Sequence, residues 1–361
     1  MPLIVDAHED LAWNALTFGR DYTRSALETR RLERNGPAPQ HNGNTMLGLP
    51  EYLEGQVAVI FSTLFASPAR KAEAGWDAQT YRDAEDAFRL ANTQLDYYER
   101  LADDNPQFSL IGGRADLERV LATWTAADTA GRQVGLVPLM EGADPIREPA
   151  EAEYWMERGV RIVGLAWSGT RYAGGTGEPG PLTPEGRALL DVMSGLGLIL
   201  DLSHSSDESF LEALDRFSGT VIASHANPRA LLKGFARPER MLTDEMIERL
   251  AEAGGVIGVV PYNRFLKADL DLSKPKEAVT LEAVLAMIDH ICQVTGSSAH
   301  VGIGSDFDGG FGVERTPAEL DTVADLQKLD GALRGRGYSE SDVAAILGEN
   351  WLRVLRRGLP A

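Results

Sequence analysis

Short apolar blocks that end in a polar residue alternate along this chain with stretches of helical periodicity. The first block, residues 3 to 10, opens with Leu3, Ile4 and Val5 and predicts a buried strand that runs into His8-x-Asp10. Blocks at 56–65, 135–141, 161–167, 195–203, 220–224, 255–260 and 300–306 have the same character. Helices are predicted between them at 78–103 and 114–125, and at a start where Thr183 is the N-cap and Pro184 the first helical residue. Ser205 and Glu208 have capping-box spacing, and a further helix runs from Thr243 to Gly254 and Gly255. Others start at Thr280 and cover 320–335 and 339–356, while 19–50 reads as a short helix and a long loop. Eight buried strands alternating with helices, with no linker between them, predict one α/β domain over residues 1–361, a (β/α)8 TIM barrel.

An open doubly wound sheet is the rival, but it binds through glycine-rich turns placed directly after a strand. The literal G-x-G-x-x-G within 174–180 lies well past its strand and is followed by Pro181 and Pro184, so it reads as a flexible loop. A composition of 43% hydrophobic and 25% charged residues fits a soluble globular protein. The formal net charge of -19 disfavours nucleic acid and anionic membrane surfaces as partners, and no apolar run is long enough to span a bilayer. Cys292 is the single cysteine, which excludes an internal disulfide framework and a thiol metal cluster. The first residues lack the order of a signal peptide, so a cytoplasmic enzyme is expected.

Barrel enzymes carry their chemistry at the C-terminal ends of the strands. Here those ends read His8 and Asp10, Glu141, His204, His225 and Asp306. Residues two apart on a strand share a face, so His8 and Asp10 point together with Asp6 behind them. Imidazole nitrogens and carboxylate oxygens suit zinc and similar divalent ions. Five ligands are too many for one open tetrahedral site and suit two ions that share a carboxylate and a bridging water or hydroxide. Glu141 is the natural bridge, because its strand lies between the two pairs, and Asp306 is placed to take and deliver a proton. His41 reads as a solvated loop residue, and His290 and His300 as structural. Asp6 reads either as a support for His8 or as a buried barrel polar group, and Asp308 as a candidate support for the rim. Ser203 and Ser224 precede the two histidines on the opposite strand face, and there is no G-x-S-x-G elbow, so neither reads as a nucleophile.

These residues lie in segments that resemble the membrane (renal-type) dipeptidase family of binuclear zinc peptidases, of the amidohydrolase-like superfamily. The segments are Val5-Asp6-Ala7-His8-Glu9-Asp10, Met140-Glu141-Gly142, Asp201-Leu202-Ser203-His204, Ala223-Ser224-His225, Arg240-Met241-Leu242-Thr243-Asp244, His300-Val301-Gly302-Ile303-Gly304-Ser305-Asp306-Phe307-Asp308-Gly309 and Gly348-Glu349-Asn350-Trp351-Leu352-Arg353. The resemblance implies two Zn2+ ions, one held by His8, Asp10 and Glu141 and the other by Glu141, His204 and His225. It also implies that Arg240 binds the carboxylate of the substrate's C-terminal residue, with Arg237 as the neighbouring alternative, and that Asp306 handles protons. One departure stands out. Mammalian-type members end strand four with a substrate-contacting His where this chain has Trp167, which keeps one N–H donor but cannot become a cation. Arg171 is the nearby candidate to compensate.

The expectation is a zinc dipeptidase that hydrolyses dipeptides with a free C-terminal carboxylate by a metal-bridged hydroxide, with D-residue tolerance open. A related amidohydrolase acting on an N-acyl amino acid is the nearest rival, and a non-catalytic metal-binding barrel the rival of another class. A homodimer is suggested by the family alone.

Overall fold

The eight apolar blocks form eight parallel strands in a computed structural model that describes all residues except 72–74, 127–128 and 271–275. They are β1 (Ile4–Glu9), β2 (Val57–Phe65), β3 (Val134–Glu141), β4 (Ile162–Gly164), β5 (Ile199–Asp201), β6 (Val221–Ile222), β7 (Ile257–Val259) and β8 (Val301–Ile303). They pair in the order β6-β5-β4-β3-β2-β1-β8-β7, and a parallel bridge between Ala223 and Ile257 joins the two ends. The sheet thus comes round to a nearly closed barrel, as the strand count predicts.

Side chains alternate across these strands. Val59, Phe61, Val137, Leu139, Ile162, Ile199 and Ile222 belong to one buried cluster with Trp351 from the C-terminal helix Asn350–Gly358. These positions share the strand face of Glu141 and fill the barrel below it. The opposite face, with Ile60, Leu136, Met140, Val163 and Leu200, joins the larger cluster shared with the surrounding helices. Burial on both faces explains why the strands read as nearly continuous apolar runs.

Four expectations change. Residues 195–196 end the helix Pro184–Leu196, and Gly197 caps it at φ 72°, so β5 starts later than its apolar block. Thr183 does cap that helix, accepting from the Gly186 N–H. The Ser205/Glu208 capping box does not form: the helix Asp207–Arg216 has Ser206 at its N-cap, and the Ser206 hydroxyl is directed to the Gly180 carbonyl instead. The G-x-G-x-x-G segment is not a loose loop but part of an antiparallel hairpin, Ala173–Gly175 against Glu178–Leu182, which packs on that same helix. Segment 19–50 holds three helices, Ala26–Glu33, Ala38–His41 and the start of Leu49–Glu54, rather than one. No helix among the described residues is long and apolar enough to cross a membrane.

Candidate active site

Register brings the site together. Phe65, Glu141, Gly164, Asp201 and Ile222 form one row across β2 to β6. Glu141 and Asp201 therefore point into the barrel mouth on either side of a residue with no side chain. On β1 the register shifts between Asp6 and Glu9. His8 and Asp10 stay on the inner face, where Thr63 donates to Asp10, while Asp6 accepts the N–H groups of His8 at 3.4 Å and Ser305 at 2.7 Å across the β1–β8 seam. Asp6 thus supports the backbone that carries His8.

His204, His225 and Asp306 all lie just past the ends of their strands. His204, Asp306 and Asp308 have φ of 64°, 58° and 63° and, with Gln56, are the described non-glycine residues in the left-handed region. Such positions cost of order 1–3 kcal/mol each and gather at functional sites. Asp308 anchors this strained turn. It accepts from Arg20 Nη1 and Tyr22 Oη at 2.9 Å, from Thr45 Oγ1 at 2.5 Å and from the Met46 N–H at 3.1 Å.

The two oxygens of Glu141 face different partners. Oε2 is 3.5 Å from His8 Nε2, whereas Oε1 is 3.2 Å from His204 Nε2 and 3.3 Å from His225 Nε2. The His204 and His225 Nε2 atoms are 3.0 Å apart. Three ligand atoms around a tetrahedral ion with bonds of ~2.0–2.1 Å stand about 3.3 Å from one another, so this triangle is the right size for one face of a zinc site. His8, Asp10 and Asp306 form a second group whose ligand atoms lie within 4.8 Å of one another. His8 Nε2 is buried without a hydrogen bond among the described residues. Donor type, spacing and an orphaned imidazole nitrogen all fit divalent metal.

The electrostatics point the same way. Burial works against a charge on His8, but Glu141, Asp10 and Asp306 together outweigh it and raise the imidazole to about 10. Burial pulls His204 down to about 4, with Arg240 adding to the effect, and His225 falls well below its usual range for the same leading reason. Burial also lifts Asp10 to about 7 and Asp306 well above the ordinary carboxylate range. Glu141 is held well below that range: burial opposes its charge, and the His8 charge and three imidazole contacts overcome it. Burial leads both carboxyl shifts, and the neighbouring carboxylates add to it.

Arg240 supplies a cation, but not a pair. It ends the turn Pro238–Arg240, is 3% exposed, and lies 5.2 Å from the Phe265 ring. Among the described residues, none of its three guanidinium nitrogens has a hydrogen-bond partner. Arg237 is exposed. Trp167 is half-buried, 6.1 Å from the His204 ring and 5.2 Å from Phe65, and lines a small cavity with Glu141, Tyr81 and Asp144. Arg171 points elsewhere, to the Arg147 carbonyl.

His41 stacks on Trp76 at 4.5 Å, His290 pairs with Asp244 at 2.7 Å, and His300 contacts the Gly255 carbonyl at 2.9 Å, so none joins the cluster. Sequence reasoning passed over Asp201 as a site residue. Its even spacing from Ser203 in Asp-x-Ser-His was the available signal.

A family model described as membrane dipeptidase (peptidase family M19) matches residues 1–358. The chain belongs to this family. It is a peptide-bond hydrolase of the metallopeptidase kind. An uncharacterized Klebsiella pneumoniae protein from the pqqA 5′ region is 32% identical to this M19 peptidase over 233 residues, covering 62% of this chain and 82% of its own. An uncharacterized dipeptidase of Schizosaccharomyces pombe is 36% identical over 173 residues, 48% of this chain and 39% of that protein. A crystal structure of a metallopeptidase from Rhodobacter sphaeroides, liganded with a phosphinate mimic of the dipeptide L-Ala-D-Ala, superposes with a TM-score of 0.76 at 25% identity, over 99% of each chain.

Proposed function

We propose that this M19 peptidase cleaves dipeptides carrying a free C-terminal carboxylate, with two zinc ions, one held by His8, Asp10 and Glu141 and one by Glu141, His204 and His225. Bound ions of this kind polarise a carbonyl and lower the pKa of water towards neutrality. The side chains account for the rest. Glu141 turns one oxygen to each group and so ties the two together. The carboxyl of Asp306, raised by burial, is suited to accept a proton and pass it to the leaving amine. The observation that carries the reading is Arg240. A buried guanidinium whose nitrogens are all unpartnered among the described residues suits an anion, and its planar fork matches a carboxylate bidentately.

Trp167 with Phe65 forms an aromatic wall where mammalian-type relatives have an imidazole, so no cation from this position answers charge developing on the substrate oxygen. The mimic in the Rhodobacter complex supports including D-configured C-terminal residues among the substrates. A panel of one dipeptide, its C-terminal amide and an N-acetyl amino acid tests the proposal. The dipeptide should be cleaved roughly 100-fold or more faster than the amide, the scale of a lost charge-assisted pair. Equal rates on dipeptide and amide would remove the role of Arg240, and faster cleavage of the N-acyl compound would make this an acylase.

A further inference from the structure

Ile222, the last residue of β6, faces the barrel, and Ser224 two residues on likewise turns its hydroxyl towards the site rather than away from it. Ser224 Oγ donates to Asp201 Oδ2 at 2.5 Å. Asp201 Oδ1 is occupied by the backbone N–H groups of Ser203 at 3.0 Å and Ser224 at 2.9 Å. A serine hydroxyl has one proton and two lone pairs. With its proton committed to a carboxylate, Ser224 Oγ is left as an acceptor facing His225 Nδ1 at 2.9 Å and His8 Nδ1 at 3.3 Å. Ser203 Oγ, 3.3 Å away, accepts the His225 backbone N–H at 3.0 Å. The Ser224 backbone is wedged as well: a Cβ added to Gly258 or to Gly304 would lie 1.8 Å from its carbonyl oxygen.

A neutral imidazole has one N–H, and placing it on Nδ1 leaves the Nε2 lone pair for a metal. We propose that Ser224 is a positioning residue shared by the two halves of the centre. Its hydroxyl, oriented by Asp201, fixes His8 and His225 with Nδ1–H, so that each directs its Nε2 lone pair at a different ion. Thr176 does the same for His204 alone: its Oγ1 is 3.0 Å from His204 Nδ1. Thr176 sits at the turn of the glycine-rich hairpin, which is pinned by Glu178 to Lys71 at 3.1 Å and to Ser168 at 3.0 Å, and by the Gly177 N–H to Glu239 at 2.8 Å, one residue before Arg240. The G-x-G-x-x-G segment thus holds a metal-site support rather than a phosphate. Asp201 lies close enough to His8 and His225 to be a ligand, but its three hydrogen bonds assign it to orienting Ser224.

This inference rests on the metal reading above, and the test separates the two. The full chain is stripped of metal and titrated with Zn2+ against a chromophoric chelator. The wild type should take up two ions. Ser224→Ala should weaken both by roughly 10- to 100-fold, the usual scale for loss of an outer-shell partner, and Ser224→Thr, which keeps the hydroxyl, should restore most of the affinity. Thr176→Val should weaken one ion only. Wild-type protein that binds no zinc overturns the metal reading and this inference together. Two ions bound as tightly by Ser224→Ala as by wild type, or a Ser224→Thr as weak as Ser224→Ala, overturns this inference alone. Should Ser224→Ala not fold, Asp201→Asn, which presents a donor to the Ser224 hydroxyl and so turns its proton towards the two imidazoles, decides: weaker uptake at both ions supports the assignment, and uptake as tight as in the wild type overturns it.

Discussion

Replacing Arg240 with Met separates what this residue does for substrate from what it costs the fold. The guanidinium is buried with no hydrogen bond to any of its nitrogens among the described residues. A buried polar group left unpaired costs ~1–3 kcal/mol, and methionine fills a similar volume without that demand. Unfolding entropy near 2.1 cal/mol/K per residue gives about 0.76 kcal/mol/K over the 361 residues, so relief of that size raises Tm by about 1–4 °C. The substrate experiences the opposite. Its carboxylate would enter a buried site without a partner, a loss of ~3–5 kcal/mol. That is a fall of roughly 100- to 5000-fold in kcat/KM, carried mainly by KM. Thermal melts of the metal-loaded protein and steady-state kinetics on one dipeptide read both effects. A lower Tm together with unchanged kcat/KM would refute the reasoning.

Three more outcomes are expected. Asp306→Asn should lower kcat by about 10²- to 10⁴-fold with little change in KM, because it removes proton transfer and leaves the carboxylate clamp intact; kinetics on the same dipeptide check this. Gly304→Ala should lower Tm sharply or prevent folding, since the new Cβ would lie 1.8 Å from the Ser224 carbonyl and both groups are backbone-borne, at a cost of about 3 kcal/mol or more. Glu178 is held at about 2, against an ordinary 4.5, chiefly by its hydrogen bonds from Arg70. Its depressed carboxylate contributes stability above about pH 4.5 that disappears as pH falls towards 2, so Glu178→Gln should cost about 0.5–1 kcal/mol at neutral pH for this partly exposed pair. Urea melts across pH should show the wild type and the variant converging near pH 2.

The barrel was legible because each of its strands is a compact apolar block, and Glu141 was legible because it closes one. The cluster His8, Asp10, Glu141, His204, His225 and Asp306 followed from asking which polar residues end those blocks. Other features depended on contacts that no local pattern encodes. Ser224 reads from the sequence as facing away because its neighbour His225 faces the site, but Ile222 points into the barrel, so alternation turns Ser224 inward and His225 reaches the site from past the end of β6. The Ser205/Glu208 spacing suited a capping box, but the neighbouring hairpin engages Ser206 through Gly180 and sets a different helix start. Glycines at 174–180 read as a loose loop, whereas Gly174 and Gly175 are needed where the hairpin packs against Gly180 and Ser168. Arg240 and Arg237 are indistinguishable by composition, and only the turn at Pro238 buries one and exposes the other.

Glu141 is proposed to join two ions. Metal analysis of the native protein alongside Glu141→Ala, with dipeptide hydrolysis assayed on the same samples before and after chelation, tests it most directly. Two divalent ions per chain are expected, zinc foremost, at least one of them lost in Glu141→Ala, with activity that chelator abolishes and added zinc restores. A native protein with no bound ion and full dipeptide hydrolysis in chelator would contradict it.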